Sequence, residues 1–256
     1  MGRGHRDPFG RAGRGRRGRR GGAERRTPAA DRRGRASAGG DPRRSEGLAR
    51  RAQGRRARRL PAGRDRPEAA TDLVDLSTVH PRLRFDIRYA GADNFMGFAL
   101  YERAGAWLQR PAAEAVGRAQ AALEPLGYGL LIHDAYRPWF VTKMFWDAVP
   151  ANARDYVADP SKGSRHNRGC AVDLTLYELK TGRAVEMPGR YDEFSRRSHP
   201  DYPGGTDRQR WHRDLLRRTM EAEGFAVYPE EWWHFDCADF QQYAIGADTF
   251  DALAKR

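Results

Sequence analysis

Cysteine is nearly absent from the chain. Cys170 and Cys237 are the two in 256 residues, too few for a disulfide framework to replace a hydrophobic core. No stretch approaches the roughly 20 apolar residues of a membrane-spanning helix. No run of roughly 7–15 apolar residues follows the N-terminal arginines, so neither a secretory nor a twin-arginine signal is complete. The cytoplasm is the expected location, an expectation that a start further upstream would weaken. No HExxH sequence is present either, which excludes the helical zinc-peptidase arrangement.

Residues 1–70 lack apolar content. They hold one aromatic residue, Phe9, and no lysine, against 23 arginines and 7 acidic residues. Such a segment cannot bury enough apolar surface to offset its chain entropy. Residues 1–70 are therefore expected to be a disordered basic tail, and 71–256 the folded domain. The other 186 residues carry 24 basic and 27 acidic side chains, so the net charge of +13 belongs to the tail alone. An arm neutralising phosphates is one reading of the tail. The other is an inert or over-extended start, with synthesis beginning nearer Val74. No methionine separates Met1 from Met96, so that start would need a non-ATG codon.

Past residue 71 the composition is globular and free of internal repeats. "RLRFDIRYA" (82–90) alternates Leu83, Phe85 and Ile87 with charged residues, the period of a half-buried strand. Residues 111–127 begin with Pro, carry Ala112, Val116, Ala119 and Leu123 at helical spacing and stop at Gly127. A short strand follows in 128–138, then a helix in 139–149 with Phe140, Val141 and Met144 inward. "CAVDLTLYEL" and "AVEM" flank a turn at Thr181-Gly182, a hairpin. Residues 206–225 read as a helix closing at Gly224, and 226–237 as a returning strand. The expected fold is α+β, an antiparallel sheet with helices packed on one side.

The chemistry concentrates in "SRHNRGCAVDLTL" (164–176). Seven extended residues between His166 and Asp173 would span about 23 Å, with the ends on opposite sheet faces. The two can share an ion only if the chain folds back, and Gly169 can adopt the dihedrals this needs. Asp173 would share a face with Ala171 and Thr175, leaving Cys170, Val172 and Leu174 for the core. A carboxylate in so apolar a strand needs a partner, and a metal ion or a salt bridge to Arg165 or Arg168 would serve equally. "EEWWHF" (230–235) adds His234 and, three residues before it, Glu231. Two histidines, an aspartate and a glutamate together make a hydrolytic zinc site: three ligands, an open position for water, and a base.

"SRHNRGCAVD" and "EWWH" match the S-x-H-x-x-G-x-A-x-D and E-x-W-H patterns of the D-Ala-D-Ala metallopeptidase superfamily, and the chain resembles its VanX-type D-alanyl-D-alanine dipeptidases. "RYAGADNFMG" (88–97), "DAYRP" (134–138) and "RYDEFSRRSH" (190–199) resemble further blocks of that subgroup, over about residues 72–245. The resemblance implies a hedgehog/DD-peptidase-like fold and one Zn2+ per chain held by His166, Asp173 and His234. It implies Glu231 as general acid/base for a metal-activated water and Arg137 as the group that stabilises the oxyanion. It also implies Tyr89, Ser164 and Asp192 as substrate-binding residues, with Asp192 facing the substrate's ammonium. Cys170 stands where a small residue such as Ser is usual.

The implied partner is a small dipeptide. The alternatives are a D,D-carboxypeptidase-like hydrolase of longer peptidoglycan peptides and a metal-free nucleic-acid binder using the tail. An ion pair with Asp134 is the competing role for Arg137. Odd spacing from Asp173 and His234 puts Cys170 and Cys237 on the core side, buried and close together. Trp232 and Trp233 are expected as wall and core. His80, His133, His199 and His212 are not expected as ligands, and His199 is the one expected near the pocket.

Overall fold

The alternating apolar residues of 171–178 place this strand at the centre of the architecture. The computed structural model describes residues 69–255. The basic segment up to residue 68, with the tail and nucleic-acid readings that concern it, lies outside the described residues. In chain order the elements are β1 (Leu73–Asp75), β2 (Arg84–Phe85), β3 (Trp107–Gln109), α1 (Arg110–Leu123), β4 (Tyr128–Asp134), α2 (Trp139–Ala148), β5 (Ala171–Glu178), α3 (Asp207–Ala222), β6 (Phe225–Tyr228), β7 (Glu231–Cys237) and α4 (Phe250–Leu253).

The main sheet has the order β2-β4-β5-β7-β6, and β1 pairs with β3 in a separate two-stranded sheet. All pairings are antiparallel except the two-residue contact of β2 with β4, which is parallel. One face of β5 sends Val172, Leu174 and Leu176 into the core with Val116 and Leu123 of α1 and Leu216 and Met220 of α3. Full burial of each such side chain contributes roughly 1.5–3 kcal/mol. The other face of β5 carries Asp173 towards a cavity. The α+β expectation holds, with α1 and α3 covering the core face. No helix among the described residues is long and apolar enough to cross a membrane.

The caps explain the helix ends. Thr206 and Gln209 form a reciprocal capping box at the start of α3, satisfying two backbone donors that would otherwise be orphaned. Gly127 and Gly224 take positive φ after α1 and α3, as C-terminal glycines do.

Several local expectations change. The strand expected over 82–90 shrinks to Arg84–Phe85 and gives way to a 3-10 turn at Arg88–Ala90. Leu83 and Ile87 are buried, but Phe85 is exposed. In α2 the fully buried residues are Val141, Thr142 and Phe145, while Phe140 and Met144 are only half-buried. The return arm after Gly182 makes one bridge, Tyr177 to Ala184, rather than a strand. Residues 226–237 form two paired strands, not one, because the chain reverses at Pro229-Glu230.

Gly169 is the turn on which the site depends. Its φ is +68°, and a Cβ there would lie 2.4 Å from Leu73 Cδ2. The Gly169→Ala variant should lose about 1–2 kcal/mol from the left-handed backbone alone, with the Leu73 contact adding to it. Urea unfolding of both proteins measures this, and an unchanged midpoint would contradict the role given to the turn.

Candidate metal centre

One turn and one strand pairing bring His166, Asp173 and His234 together. Residues His166–Arg168 form a 3-10 turn that ends at Gly169, so the chain folds back between His166 and Asp173. The turn is tied to the exit of β4. Arg137 N donates to His166 O at 3.1 Å, and Asn167 Nδ2 donates to Arg137 O at 2.7 Å. Asp173 and His234 are directly opposed partners on β5 and β7. A third device acts on β7. The β6 register steps from Val227↔Phe235 to Tyr228↔Glu231, an irregularity that swings Glu231 round to the side of His234. Strand periodicity alone would have placed residues three apart on opposite faces, whereas Glu231 Oε2 lies 3.8 Å from His234 Nδ1.

Three donor atoms converge. His166 Nε2 is 3.1 Å from His234 Nδ1, His234 Nδ1 is 3.0 Å from Asp173 Oδ1, and His166 Nε2 is 3.4 Å from the same oxygen. A tetrahedral ion with ligands at about 2.0–2.1 Å requires ligand–ligand edges of roughly 3.3 Å. The cluster has those dimensions. The far side of each ring is already committed. His166 Nδ1 donates to Ala135 O at 2.6 Å and His234 Nε2 to Asp236 Oδ1 at 2.8 Å. With those protons placed, the nitrogens that face each other present lone pairs, as in metal sites whose outer partners fix the tautomers. The donor set fits a divalent cation.

Burial opposes ionisation of Asp173, yet the two imidazoles outweigh it and hold its carboxyl well below the usual carboxylate range. Burial would push His234 down, but its hydrogen bonds to the Asp173 and Asp236 carboxylates raise it to about 10. Without a metal, Nδ1 thus also carries a proton, shared with Asp173, and its lone pair is freed only when that proton leaves. A proton or a metal ion can therefore link these groups, and binding the metal would release that proton. Asp173 Oδ2 accepts from Tyr191 OH at 3.0 Å and lies 3.6 Å from Arg137 Nη2. The expected salt-bridge alternative takes other forms. Arg165 pairs with Asp236, and Arg168 donates to the Tyr243 carbonyl.

All eight residues singled out from the sequence line one cavity of about 310 Å³: Tyr89, Arg137, Ser164, His166, Asp173, Asp192, Glu231 and His234. Burial first, then the charge of Asp173, raises Glu231 to about 7, against the pull of His234 and Arg137. Arg137 is both an ion-pair partner and a cavity residue. Its Nε and Nη2 hold Asp134 Oδ2 at 2.9 and 2.8 Å, and its guanidinium lies over the Tyr89 and Phe145 rings. Asp192 sits at φ 55° and accepts from Tyr89 OH at 3.0–3.1 Å. Burial, reinforced by Asp173 and Glu231, raises its carboxyl well above the usual range. Ser164 Oγ accepts from His166 N at 3.2 Å, at the mouth of the turn.

His199, expected near the pocket, is not among the residues that line it. Trp232 and Trp233 are both buried, and Trp233 forms part of the wall. Cys170 is buried and Cys237 half-buried, both as free thiols. Their strands run side by side, with Cys237 N donating to Cys170 O at 2.9 Å. The sequence reading missed Asp236, Asn167 and Tyr191. For Asp236 a signal existed, since it lies two residues after His234 and so on the same strand face. Also unforeseen were Phe95, Phe145, Tyr156 and Phe194, which line the cavity and whose rings pack together at its edge.

Several known proteins are similar to this chain. A family model described as D-ala-D-ala dipeptidase matches residues 69–253. A D-alanyl-D-alanine dipeptidase of Escherichia coli (strain K12) is 37% identical over 183 residues, covering 72% of this chain and 93% of the relative. Enzymes of the same name from Enterococcus faecalis (35%, 61% of this chain and 87% of the relative) and Streptomyces coelicolor (36%, 60% and 85%) are similar as well. The solved LdcB LD-carboxypeptidase overlaps 72% of each chain with a TM-score of 0.40 and 18% identity. On the family match and the Escherichia coli relative, the chain belongs to the D-Ala-D-Ala dipeptidase family of metallopeptidases.

Proposed function

We propose that the protein hydrolyses D-alanyl-D-alanine, using one zinc ion held by His166 Nε2, His234 Nδ1 and Asp173. The observation that carries this reading is the convergence of three lone-pair donors within 3.0–3.4 Å, with Glu231 beside them. When bound, zinc supplies Lewis acidity to the scissile carbonyl and makes water a nucleophile at neutral pH.

The chain's own residues do the rest. Glu231, whose carboxylate lies 3.8 Å from His234 Nδ1, is placed to accept a proton from water and return it to the leaving amine. Arg137 carries fixed positive charge to the cavity wall. Asp134 holds it there before substrate arrives, so no reorganisation is needed as the oxyanion develops. Asp192, squared up by Tyr89, is the carboxylate available to the substrate's ammonium. A cation there relieves its repulsion from Asp173 and Glu231. Ser164 completes the rim beside His166. The aromatic edge made by Tyr156, Phe194 and Phe95 suits small apolar side chains.

The Glu231→Ala variant should lose about 10²–10⁴-fold in kcat while still holding one zinc per chain. Parallel turnover assays and metal analysis check this, and undiminished turnover would remove Glu231 from the mechanism. The ammonium contact makes a second prediction. Free D-Ala-D-Ala should be cleaved and an N-acylated tripeptide ending in D-Ala-D-Ala should not, with Asp192→Asn raising KM for the dipeptide. Efficient cleavage of the acylated tripeptide would support the carboxypeptidase alternative instead.

A further inference from the structure

His234 can offer Nδ1 to a metal only if its proton sits on Nε2. The residue that decides this is Asp236, whose Oδ1 lies 2.8 Å from Nε2. A carboxylate has acceptors only, so Nε2 must donate and the Nδ1 lone pair is left facing the cluster. His166 reaches the equivalent state through a backbone carbonyl, Ala135 O, which no side-chain change removes. Control of His234 therefore rests on one replaceable side chain.

Asp236 is itself oriented. Arg165 Nε approaches its other oxygen, Oδ2, at 3.2 Å. The contact is ionic rather than an aligned hydrogen bond, since Nε has no partner of good hydrogen-bond geometry. The Arg165 guanidinium lies over the Phe240 ring, 4.8 Å from its centroid, which keeps it in place. It has donors and no acceptor, so whichever atom of residue 236 faces it should be an oxygen.

Resting on the zinc reading above, we infer that Asp236 is a positioning residue that sets the tautomer of His234, and that Arg165 selects which atom of residue 236 faces the imidazole. The near-isosteric Asp236→Asn variant makes this testable. Arg165 draws the amide oxygen to its own side, which turns the NH2 group towards Nε2. Nε2 must then accept, the proton moves to Nδ1, and the metal-facing lone pair is lost. Asp236→Ala, by contrast, leaves the imidazole to water and to its own preference. The subtler substitution should do the greater harm.

The test is zinc affinity of the full-length holoenzyme, read by competition with a chromophoric chelator, with melting of the metal-free proteins as a folding control. Asp236→Ala should bind zinc about 10–100-fold more weakly than wild type, and Asp236→Asn more weakly again. Adding Arg165→Met to Asp236→Asn frees the amide to turn and should recover affinity at least to that of the alanine variant. Wild-type affinity in the Asp236 variants, or tighter binding by asparagine than by alanine, would overturn the inference. A wild-type protein that binds no zinc would instead overturn the metal reading beneath it.

Discussion

Nε2 of His166, Nδ1 of His234 and Oδ1 of Asp173 face one another at 3.0–3.4 Å, and the opposite sides of both rings are bound to acceptors. Buried lone pairs so arranged repel unless something positive lies among them. Desolvation sharpens the demand, because an uncompensated buried carboxylate is costly. The surrounding charges follow from it. Arg137 lies near the outer oxygen of Asp173, which also receives the Tyr191 hydroxyl. Glu231 and Asp192, by contrast, are shifted towards their neutral forms. Positive charge entering the cavity, as metal or as substrate ammonium, meets a site already short of it.

The fold supplies this convergence with few parts. Pairing of β5 with β7 opposes Asp173 to His234. Gly169 folds the preceding turn back so that His166 reaches the same point. The irregular β6–β7 register turns Glu231 to the same side. Behind them Val172, Leu174 and Leu176 anchor β5 in the core, so the strand bearing Asp173 cannot slip by one residue without exposing its apolar face. Rigid placement of donors on paired strands is what a metal site with narrow distance tolerance needs.

Much of this was legible in the sequence because it is local. The alternation around Asp173, the helix with Pro near its start and the glycines at helix ends each depend on a few neighbouring residues, and the His/Asp/Glu set follows from residue type. What escaped depends on contacts between distant segments. Tyr191 reaches Asp173 across 18 residues, and Asn167 ties its turn to the β4 exit 30 residues earlier. Strands β1 and β3 are three residues each, too short for periodicity to register. The reversal at Pro229-Glu230 was missed although Pro229, Glu230 and Glu231 interrupt the apolar pattern there, which is a turn signal. The ion pair with Asp134, expected as the competing role for Arg137, is present, and it holds the guanidinium at the cavity wall.

The most direct test of the central claim is anomalous diffraction at the zinc edge from crystals of the metal-loaded protein. The account predicts one peak per chain, about 2.0–2.2 Å from His166 Nε2, His234 Nδ1 and an Asp173 carboxylate oxygen. A peak bound elsewhere, or loaded protein in which those three atoms hold no ion, would contradict it.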